Sequence, residues 1–346
     1  MQTVSRIAIG VIATTGVFVL LIIFVGIEQF VEAISMMHPW LAGAIVSIVA
    51  IRRLVQGTIL YVAFTRFQVE VSYVQSFFIS ASTTFAKNAT PFAQLGGEPL
   101  AAGIITDAVD DTYEESLAAL SMMETVKFIP ALAVFVSGSL YFAIYPTPIP
   151  QSITPIFGVF GVVLLVLPLV AAVIWRYRDR AQAVATAAVM TLLRPVSVIP
   201  RVSMPDEESI RERIASFFSI FVDLTTDRRL VVEVAILSFI TLFLTVLELW
   251  LALKAVGVDV LVPIVLFAVP FSRLASVLPS PGGVGGVEGV LVIFITALTS
   301  HPVRDVTTGV IISSGVGYWM TALVGGLGIA FALPLLSEER AEYEGS

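Results

Sequence analysis

Two stretches of this 346-residue chain repeat one arrangement, in which proline is followed by a pair of glycines and then by a glutamate. Proline stops an incoming helix, while glycine permits positive φ and a close approach of the backbone. The free N–H groups that open each outgoing helix would favour an anion such as a phosphate headgroup. The candidate binding residues are Asn88, Gly96, Gly97 and Glu98 in the first stretch and Pro281, Gly282, Gly283, Gly285, Gly286 and Glu288 in the second.

The two glutamates have two interpretations that the sequence alone does not separate. Each stands in the expected first turn of an outgoing helix, where Glu98 or Glu288 could accept hydrogen bonds from the free N–H groups and cap the helix. Either carboxylate could instead contact a headgroup or carry a proton. We therefore keep both the capping role and the binding role open.

Adjacent arginines, Arg52 and Arg53, fall near the centre of a long apolar stretch. Each would cost roughly 2.5 to 3.5 kcal/mol if it faced lipid at the centre of a bilayer. Neighbouring residues on a helix point about 100° apart, so at least one arginine should face the protein interior. A guanidinium there can hold a phosphate with two parallel hydrogen bonds, or it can pair with a carboxylate. The carboxylates that the sequence offers are Glu98, Glu124 and Glu248.

Three further charged residues in or beside apolar stretches complete the candidate set. Glu124 and Lys127 are three residues apart, so they share a helical face and could neutralise each other. Arg273 follows another apolar arm. No residue of the chain is assigned as catalytic. With no cysteine and only two histidines, no metal site or cofactor is expected.

The elements that position these residues are predicted to be membrane helices. The chain is 57% hydrophobic and 13% charged, with a net charge of −7, which excludes an ordinary soluble domain and argues against a nucleic-acid partner. Several apolar runs exceed the roughly 18 to 20 residues that a spanning helix needs. The fold class is therefore all-α and integral to the membrane. The six predicted spans are 7–26, 39–65, 117–145, 154–175, 229–256 and 307–335.

Two pairs of shorter apolar arms flank the proline and glycine breaks. They are 73–88 with 92–106 and 262–277 with 286–299. An arm of this length covers only about 22 Å at about 1.5 Å per residue, less than the thickness of the hydrocarbon core. Each pair is therefore predicted to be a re-entrant hairpin that enters and leaves the membrane on one side.

Arginine and lysine set the predicted orientation. Nine of the 19 lie in 176–229, so the loop 176–228 should be cytoplasmic, as should both termini of a multi-pass protein in the plasma membrane. The single membrane domain, 1–346, then divides into halves 1–146 and 154–336 of opposite orientation, an inverted repeat. Within the loop, apolar residues at three- and four-residue steps predict an amphipathic helix over 206–229. It would either lie on the inner leaflet or pack against the bundle.

Three of these features together resemble one known family. They are the stretch from Asn88 to Glu98, the following Glu124, and the stretch Leu278-Pro-Ser-Pro-Gly-Gly-Val-Gly-Gly-Val-Glu288. They resemble the flippase-like membrane domain of lysylphosphatidylglycerol synthetases and its stand-alone relatives, over nearly the whole chain. The first stretch departs from the family pattern at Pro99, where the family usually has an arginine. The resemblance implies a stand-alone lipid translocator.

The expected function is a flippase that moves an anionic phospholipid or a polyprenyl-phosphate-linked lipid between leaflets. The alternative is a membrane enzyme acting on a lipid diphosphate, such as a polyprenyl diphosphate phosphatase, whose architecture also has two inverted hairpins. The loop from Pro281 has glycines where such an enzyme has a serine and an arginine, so the chain is expected not to be an enzyme. A carrier of small solutes is a third class. The sequence leaves a homo-oligomer open.

Overall fold

A computed structural model describes residues 26–66, 71–88, 97–109, 112–144, 176–193, 206–273 and 285–329, with isolated positions in 15–23 and 158–173. Every regular element in these ranges is a helix, in agreement with the predicted all-α class. The helices are α1 (Ile27–Met36), α2 (Pro39–Arg66), α3 (Tyr73–Asn88), α4 (Gly97–Val109), α5 (Tyr113–Val126), α6 (Phe128–Ile144), α7 (Arg178–Leu193), α8 (Glu207–Thr226), α9 (Arg228–Ala255), α10 (Val262–Ser272), α11 (Gly286–Leu298) and α12 (Val303–Leu327).

Four stretches of helix in the described residues are long and apolar enough to cross a bilayer. They are Pro39–Arg66, Tyr113–Gly138, Arg228–Ala255 and Val303–Leu327. They correspond to four of the six predicted spans. The other two, 7–26 and 154–175, lie largely outside the described residues.

The second of these stretches, Tyr113–Gly138, is interrupted where α5 meets α6. The turn falls at Lys127, and Pro130 follows three residues later. Proline has no N–H to donate to the carbonyl four residues earlier, so the helical ladder loses its bond at Val126. Within the span predicted over 117–145, the helix is therefore divided into α5 and α6 at Lys127, while Tyr113–Gly138 as a whole remains long and apolar enough to cross a bilayer.

Four short apolar helices occupy the predicted hairpin arms. The helices α3, α4, α10 and α11 have 16, 13, 11 and 13 residues. At about 1.5 Å per residue none exceeds about 24 Å, which is less than the roughly 30 Å of a hydrocarbon core. α3 packs against α4, and α10 packs against α11. The breaks between them, 89–96 and 274–284, lie outside the described residues.

Two hydrophobic clusters hold these helices together. One joins α2, α3, α4 and α5 to α8 and α9, around Phe64 and Met122. The other joins α9, α10, α11 and α12. In it, the ring of Phe294 stacks on Phe267 and on Phe271, with ring centroids 5.7 and 5.3 Å apart. The long helix α9 contributes to both clusters, and it also packs along α2.

The predicted amphipathic helix in the arginine-rich loop is confirmed as α8. It packs against α5, α7 and α9. Its apolar residues Phe217, Phe221 and Leu224 join the first hydrophobic cluster. Arg213 on this helix pairs with Glu114 on α5. These contacts favour the interpretation of the helix as a packing element against the bundle.

Glycine allows α12 to approach α3 closely. A Cβ placed on Gly325 would collide with the carbonyl oxygen of Ala81 and would lie 2.6 Å from the Cβ of Phe85. The hydroxyl of Ser82 donates to the carbonyl of Gly325 across the same contact, at 3.2 Å. The next residue, Gly326, has open space where its Cβ would be.

We expect Gly325→Ala to destabilise the protein by about 1 to 3 kcal/mol, because overpacking would separate α12 from α3. Gly326→Ala is the matched control and should be neutral or slightly stabilising, since alanine favours a helix by about 0.5 to 1 kcal/mol over glycine. Thermal unfolding of the two purified variants in detergent, followed by tryptophan fluorescence, measures the difference. Equal melting temperatures would contradict the close packing described here.

Candidate functional site

A cavity of about 230 Å³ lies where the broken helices meet the long ones. The C-terminal ends of α3 and α10 and the N-terminal end of α11 reach it, and the middle parts of α2, α9 and α12 complete its walls. It therefore borders both helix pairs that the sequence predicts to be hairpins, the first of them through Asn88 of α3. The polar residues that line it are Arg52, Arg53, Asn88, Thr245, Glu248, Ser272, Arg273, Glu288, Ser313, Ser314 and Tyr318.

Arg52 forms an ion pair across the cavity wall with Glu248 on α9. Its Nη1 lies 3.0 Å from Oε2 of Glu248, and the side chains are 12% and 2% exposed. The same Nη1 donates to the hydroxyl of Thr245 at 3.1 Å. Glu248 in turn accepts a long hydrogen bond from Ser313 on α12, at 3.4 Å. Of the three carboxylates that the sequence offered, Glu248 is the one that pairs with Arg52.

Arg53 is held by neutral groups. Its Nη1 donates to the side-chain oxygen of Gln56 at 2.8 Å, one turn further along α2. Its Nη2 donates to the main-chain carbonyl of Gly317 on α12 at 3.3 Å. A Cβ on Gly317 would lie 3.0 Å from Nη2 of Arg52, so glycine lets α12 reach both guanidinium groups.

Glu288 caps the helix that carries it and also lines the cavity. Gly285 precedes α11 with a φ of 94°, a conformation that favours glycine. Its N–H donates to Oε2 of Glu288 at 2.6 Å. Ser314 on α12 lines the same cavity as this carboxylate. The capping interpretation is thus confirmed for Glu288, which is only 5% exposed and belongs to the cavity lining at the same time.

A second charge network lies beside the cavity and ties the first helix pair to α5. Nζ of Lys87 on α3 lies 2.7 Å from Glu98 on α4 and 3.3 Å from Glu124 on α5. Lys127 lies 2.7 Å from the same oxygen of Glu124, as the three-residue spacing predicted. A Cβ on Gly97 would lie 2.8 Å from Cγ of Lys87, so this glycine permits the close approach of α4.

The structure therefore divides the predicted site residues into groups. Arg52, Arg53, Asn88, Arg273 and Glu288 line one cavity. Glu98, Glu124 and Lys127 form the separate network around Lys87, beside which Gly97 opens α4. Gly285 is the N-cap of α11, and Gly286 is its first residue. Gly96, Pro281, Gly282 and Gly283 lie outside the described residues.

Sequence reasoning missed Lys87 and the polar groups that hold the arginines. Lys87 could have been found, because it is a charged residue in the last turn of an apolar arm, next to the break. Gln56, Thr245 and Gly317 carried no comparable signal. Thr245 and Gly317 each act through one hydrogen bond from another helix, which depends on how the helices pack, whereas Gln56 accepts from Arg53 within α2.

Comparison with known families agrees with this architecture. A family model described as the lysylphosphatidylglycerol synthase TM region matches residues 7–325. The chain belongs to this family. No curated protein and no solved structure matches the chain. Membership in the lysylphosphatidylglycerol synthase TM family confirms the resemblance of the two glycine-rich stretches and implies a membrane protein with a function related to lipids. The matched region of this family includes the cavity and the Lys87 network.

We expect the partly buried pair Arg52–Glu248 to show a large coupling energy, because removing one partner leaves the other charge without a counterion. We expect Glu248→Leu to destabilise the protein by about 3 to 5 kcal/mol, because it leaves a buried guanidinium without its counterion. The double variant Arg52→Met with Glu248→Leu should recover most of that loss, since neither charge then remains buried. A double-mutant cycle on unfolding in detergent measures the coupling.

The exposed pair Arg229–Glu233, with a nitrogen–oxygen distance of 2.8 Å and an arginine side chain that is 76% exposed, is the matched control. Replacing it in the same way should give a coupling of only about 0.3 to 0.5 kcal/mol. Similar couplings for the two pairs would show that Arg52 and Glu248 are solvated rather than buried.

Proposed function

We propose that this protein is a lipid flippase that moves an anionic phospholipid or a polyprenyl-phosphate-linked lipid between membrane leaflets. The observation that carries the proposal is one cavity, bordered by both broken-helix pairs, that holds Arg52, Arg53 and Arg273. A guanidinium suits a phosphate because its donors match the phosphate oxygens in pairs. The headgroup would pass through the cavity while the lipid tails stay in the bilayer.

The charge balance of the cavity supports an anionic headgroup. Among the described lining residues, three arginines stand against two glutamates. Both glutamates are already engaged, since Glu248 pairs with Arg52 and Glu288 caps α11. The lining thus carries one more positive than negative side chain, and Arg52 and Arg53 are partly buried. Such a site attracts an anion more strongly than the same charges would in solution.

We also propose that the two broken-helix pairs are re-entrant hairpins in an inverted repeat of six spans. The repeat relates α2 to α9, α3 to α10, and the unit α5–α6 to α12. Helix contacts occur in matching pairs under this relation. α3 packs on α12 as α10 packs on α6, and α2 meets α12 as α9 meets α6. α2 and α9, which the repeat would exchange, pack on each other. The termini and the arginine-rich loop would then be cytoplasmic.

The alternative function is hydrolysis of a lipid phosphate, and one residue pair bears on it. Ser272 lines the cavity next to Arg273, so a hydroxyl stands near a guanidinium. The hydroxyl of Ser272 donates to the carbonyl of Val269 at 2.9 Å, which is the usual bond of a serine within a helix. We propose that the protein does not act as an enzyme, and Ser272→Ala should leave lipid movement unchanged.

Reconstituted vesicles test the proposal. We expect purified protein to move a fluorescent phosphatidylglycerol between leaflets, measured as the fraction that becomes accessible to an impermeant quencher. Arg53→Ala should slow this movement by about tenfold or more, because a charge-assisted hydrogen bond contributes roughly 1.5 to 3 kcal/mol. The control Arg229→Ala removes an exposed arginine and should move lipid at the wild-type rate.

Two results would count against the flippase. Lipid movement no faster than in protein-free vesicles, for both phosphatidylglycerol and a polyprenyl phosphate, would reject transport. Release of inorganic phosphate from a polyprenyl diphosphate, abolished by Ser272→Ala, would favour the hydrolase instead.

A further inference from the structure

Arg52 and Arg53 are neighbours in sequence, but their surroundings differ in charge. Arg52 has a carboxylate at 3.0 Å from Glu248, so its charge is compensated within the protein. The described partners of Arg53 are the amide oxygen of Gln56 and the carbonyl of Gly317, both of which are neutral. No carboxylate of the described residues forms an ion pair with Arg53. One guanidinium is therefore neutralised and the other is not.

The charge of Arg53, which has no ion-pair partner among the described residues, lowers the stability of the protein when no anion is bound. The group is partly buried, and the like charge of Arg52 lies beside it. A buried cation without a counterion is unfavourable, because the low-dielectric interior replaces water with less polarisable surroundings. Its Nε has no hydrogen-bond partner among the described residues. An anion bound in the cavity next to Arg53 would neutralise its charge and accept a hydrogen bond from its Nε.

Glu248 forms its ion pair with Arg52, although its charge also acts on Arg53. Its position is fixed by the ion pair with Arg52 and by the hydroxyl of Ser313. As long as Arg52 holds this carboxylate, it does not serve as the counterion of Arg53. Arg52 thus keeps the anion position at Arg53 open.

We propose that Arg53 binds the phosphate group of the transported lipid, and that Arg52 is a positioning residue that withholds Glu248 from Arg53. This assignment rests on the proposed function and gives its two central arginines different tasks. It identifies the recognised chemistry as a phosphate monoester or diester, whose oxygens match the guanidinium fork. Gly317 supports both tasks, because its carbonyl orients Arg53 and its missing side chain leaves room for Arg52.

Four variants separate the two roles. Arg53→Met removes the phosphate contact, and Arg52→Met releases Glu248 to neutralise Arg53, so both should bind lipid more weakly. Replacing Glu248 as well gives two double variants, Arg52→Met with Glu248→Leu and Arg53→Met with Glu248→Leu. The first double variant should regain lipid binding, because Arg53 again has no carboxylate to neutralise it. The second should not, because no phosphate ligand remains at that position.

Binding and transport are measured separately on each variant. Fluorescent phosphatidylglycerol titrated onto detergent-purified protein gives the dissociation constant, and the vesicle assay gives the rate. We expect Arg53→Met to raise the dissociation constant by about tenfold to a hundredfold, with or without Glu248→Leu. Arg52→Met should raise the dissociation constant by a similar factor. Adding Glu248→Leu to Arg52→Met should return the dissociation constant to within about threefold of wild type.

The outcomes distinguish this inference from the proposed function. Binding with the expected pattern but no transport would reject the flippase and retain the roles of the two arginines. Transport with equal recovery in both double variants, or with recovery in neither, would reject the division of roles and retain the flippase. Wild-type protein that binds no phosphatidylglycerol and no polyprenyl phosphate would reject the inference.

Folding is checked by size-exclusion chromatography and melting temperature. If Arg52→Met with Glu248→Leu does not fold, Arg52→Gln with Glu248→Gln makes the same charge change with polar side chains. The recovery of lipid binding in this double variant is then compared with that of the double variant Arg53→Gln with Glu248→Gln. The same pattern of recovery is expected for these variants, and its absence contradicts the proposed roles.

Discussion

The need to stabilise guanidinium charge within an apolar helical bundle determines how the centre of this protein is built. Arg52 and Arg53 lie in the middle of α2, among helices whose surfaces are largely hydrophobic. A charge at this position requires partners that water does not supply. α9 provides Glu248 and Thr245, and α12 provides Ser313 and the carbonyl of Gly317. These bonds join three of the four long apolar helices, so the polar centre also fixes the packing of the bundle.

Small residues make this packing geometrically possible. Gly317 lets α12 reach the arginines, Gly325 lets the same helix reach α3, and Gly97 lets α4 start beside Lys87. Helices in membranes gain little from burying apolar surface against each other, because lipid tails are equally apolar. Close van der Waals contact and hydrogen bonds between helices are then the main stabilising terms. The glycines on α12 therefore act together with the polar groups beside them, because the close approach of the helices brings the hydrogen-bonding partners within reach.

The two charge networks have different characters, and this difference bears on function. Around Lys87, positive and negative side chains alternate, and each carboxylate has a lysine within 3.3 Å. That network stabilises the first helix pair against α5. The cavity lining instead contains three arginines and two glutamates, and Arg52 and Glu248 form one complete ion pair among them. Membership in the lysylphosphatidylglycerol synthase TM family agrees with a lipid-related task for such a positively charged cavity.

Local properties of the sequence determined the class of the protein, the approximate positions of the helices, the short arms with their glycine and proline breaks, and the presence of arginines within apolar helices. Hydropathy, helix length and backbone restriction each depend on residues close together in the chain, so they can be derived without a fold. Even the capping of α11 by Glu288 was a local alternative. The turn at Lys127, where Pro130 interrupts the ladder, was not in the hydropathy pattern, and neither were the helices α1 and α7, which lie outside the predicted spans and arms.

The tertiary structure alone decided which partners meet. Glu98, Glu124 and Glu248 were equivalent candidates for Arg52 in sequence, and the packing of α9 along α2 selected Glu248. The bond from Arg52 to Thr245 joins residues 193 positions apart, and the bond from Arg53 to Gly317 joins residues 264 positions apart. The energies of such pairs depend on distances of a few ångströms between helices. No periodicity or composition encodes those distances, because they result from the packing of all the helices together.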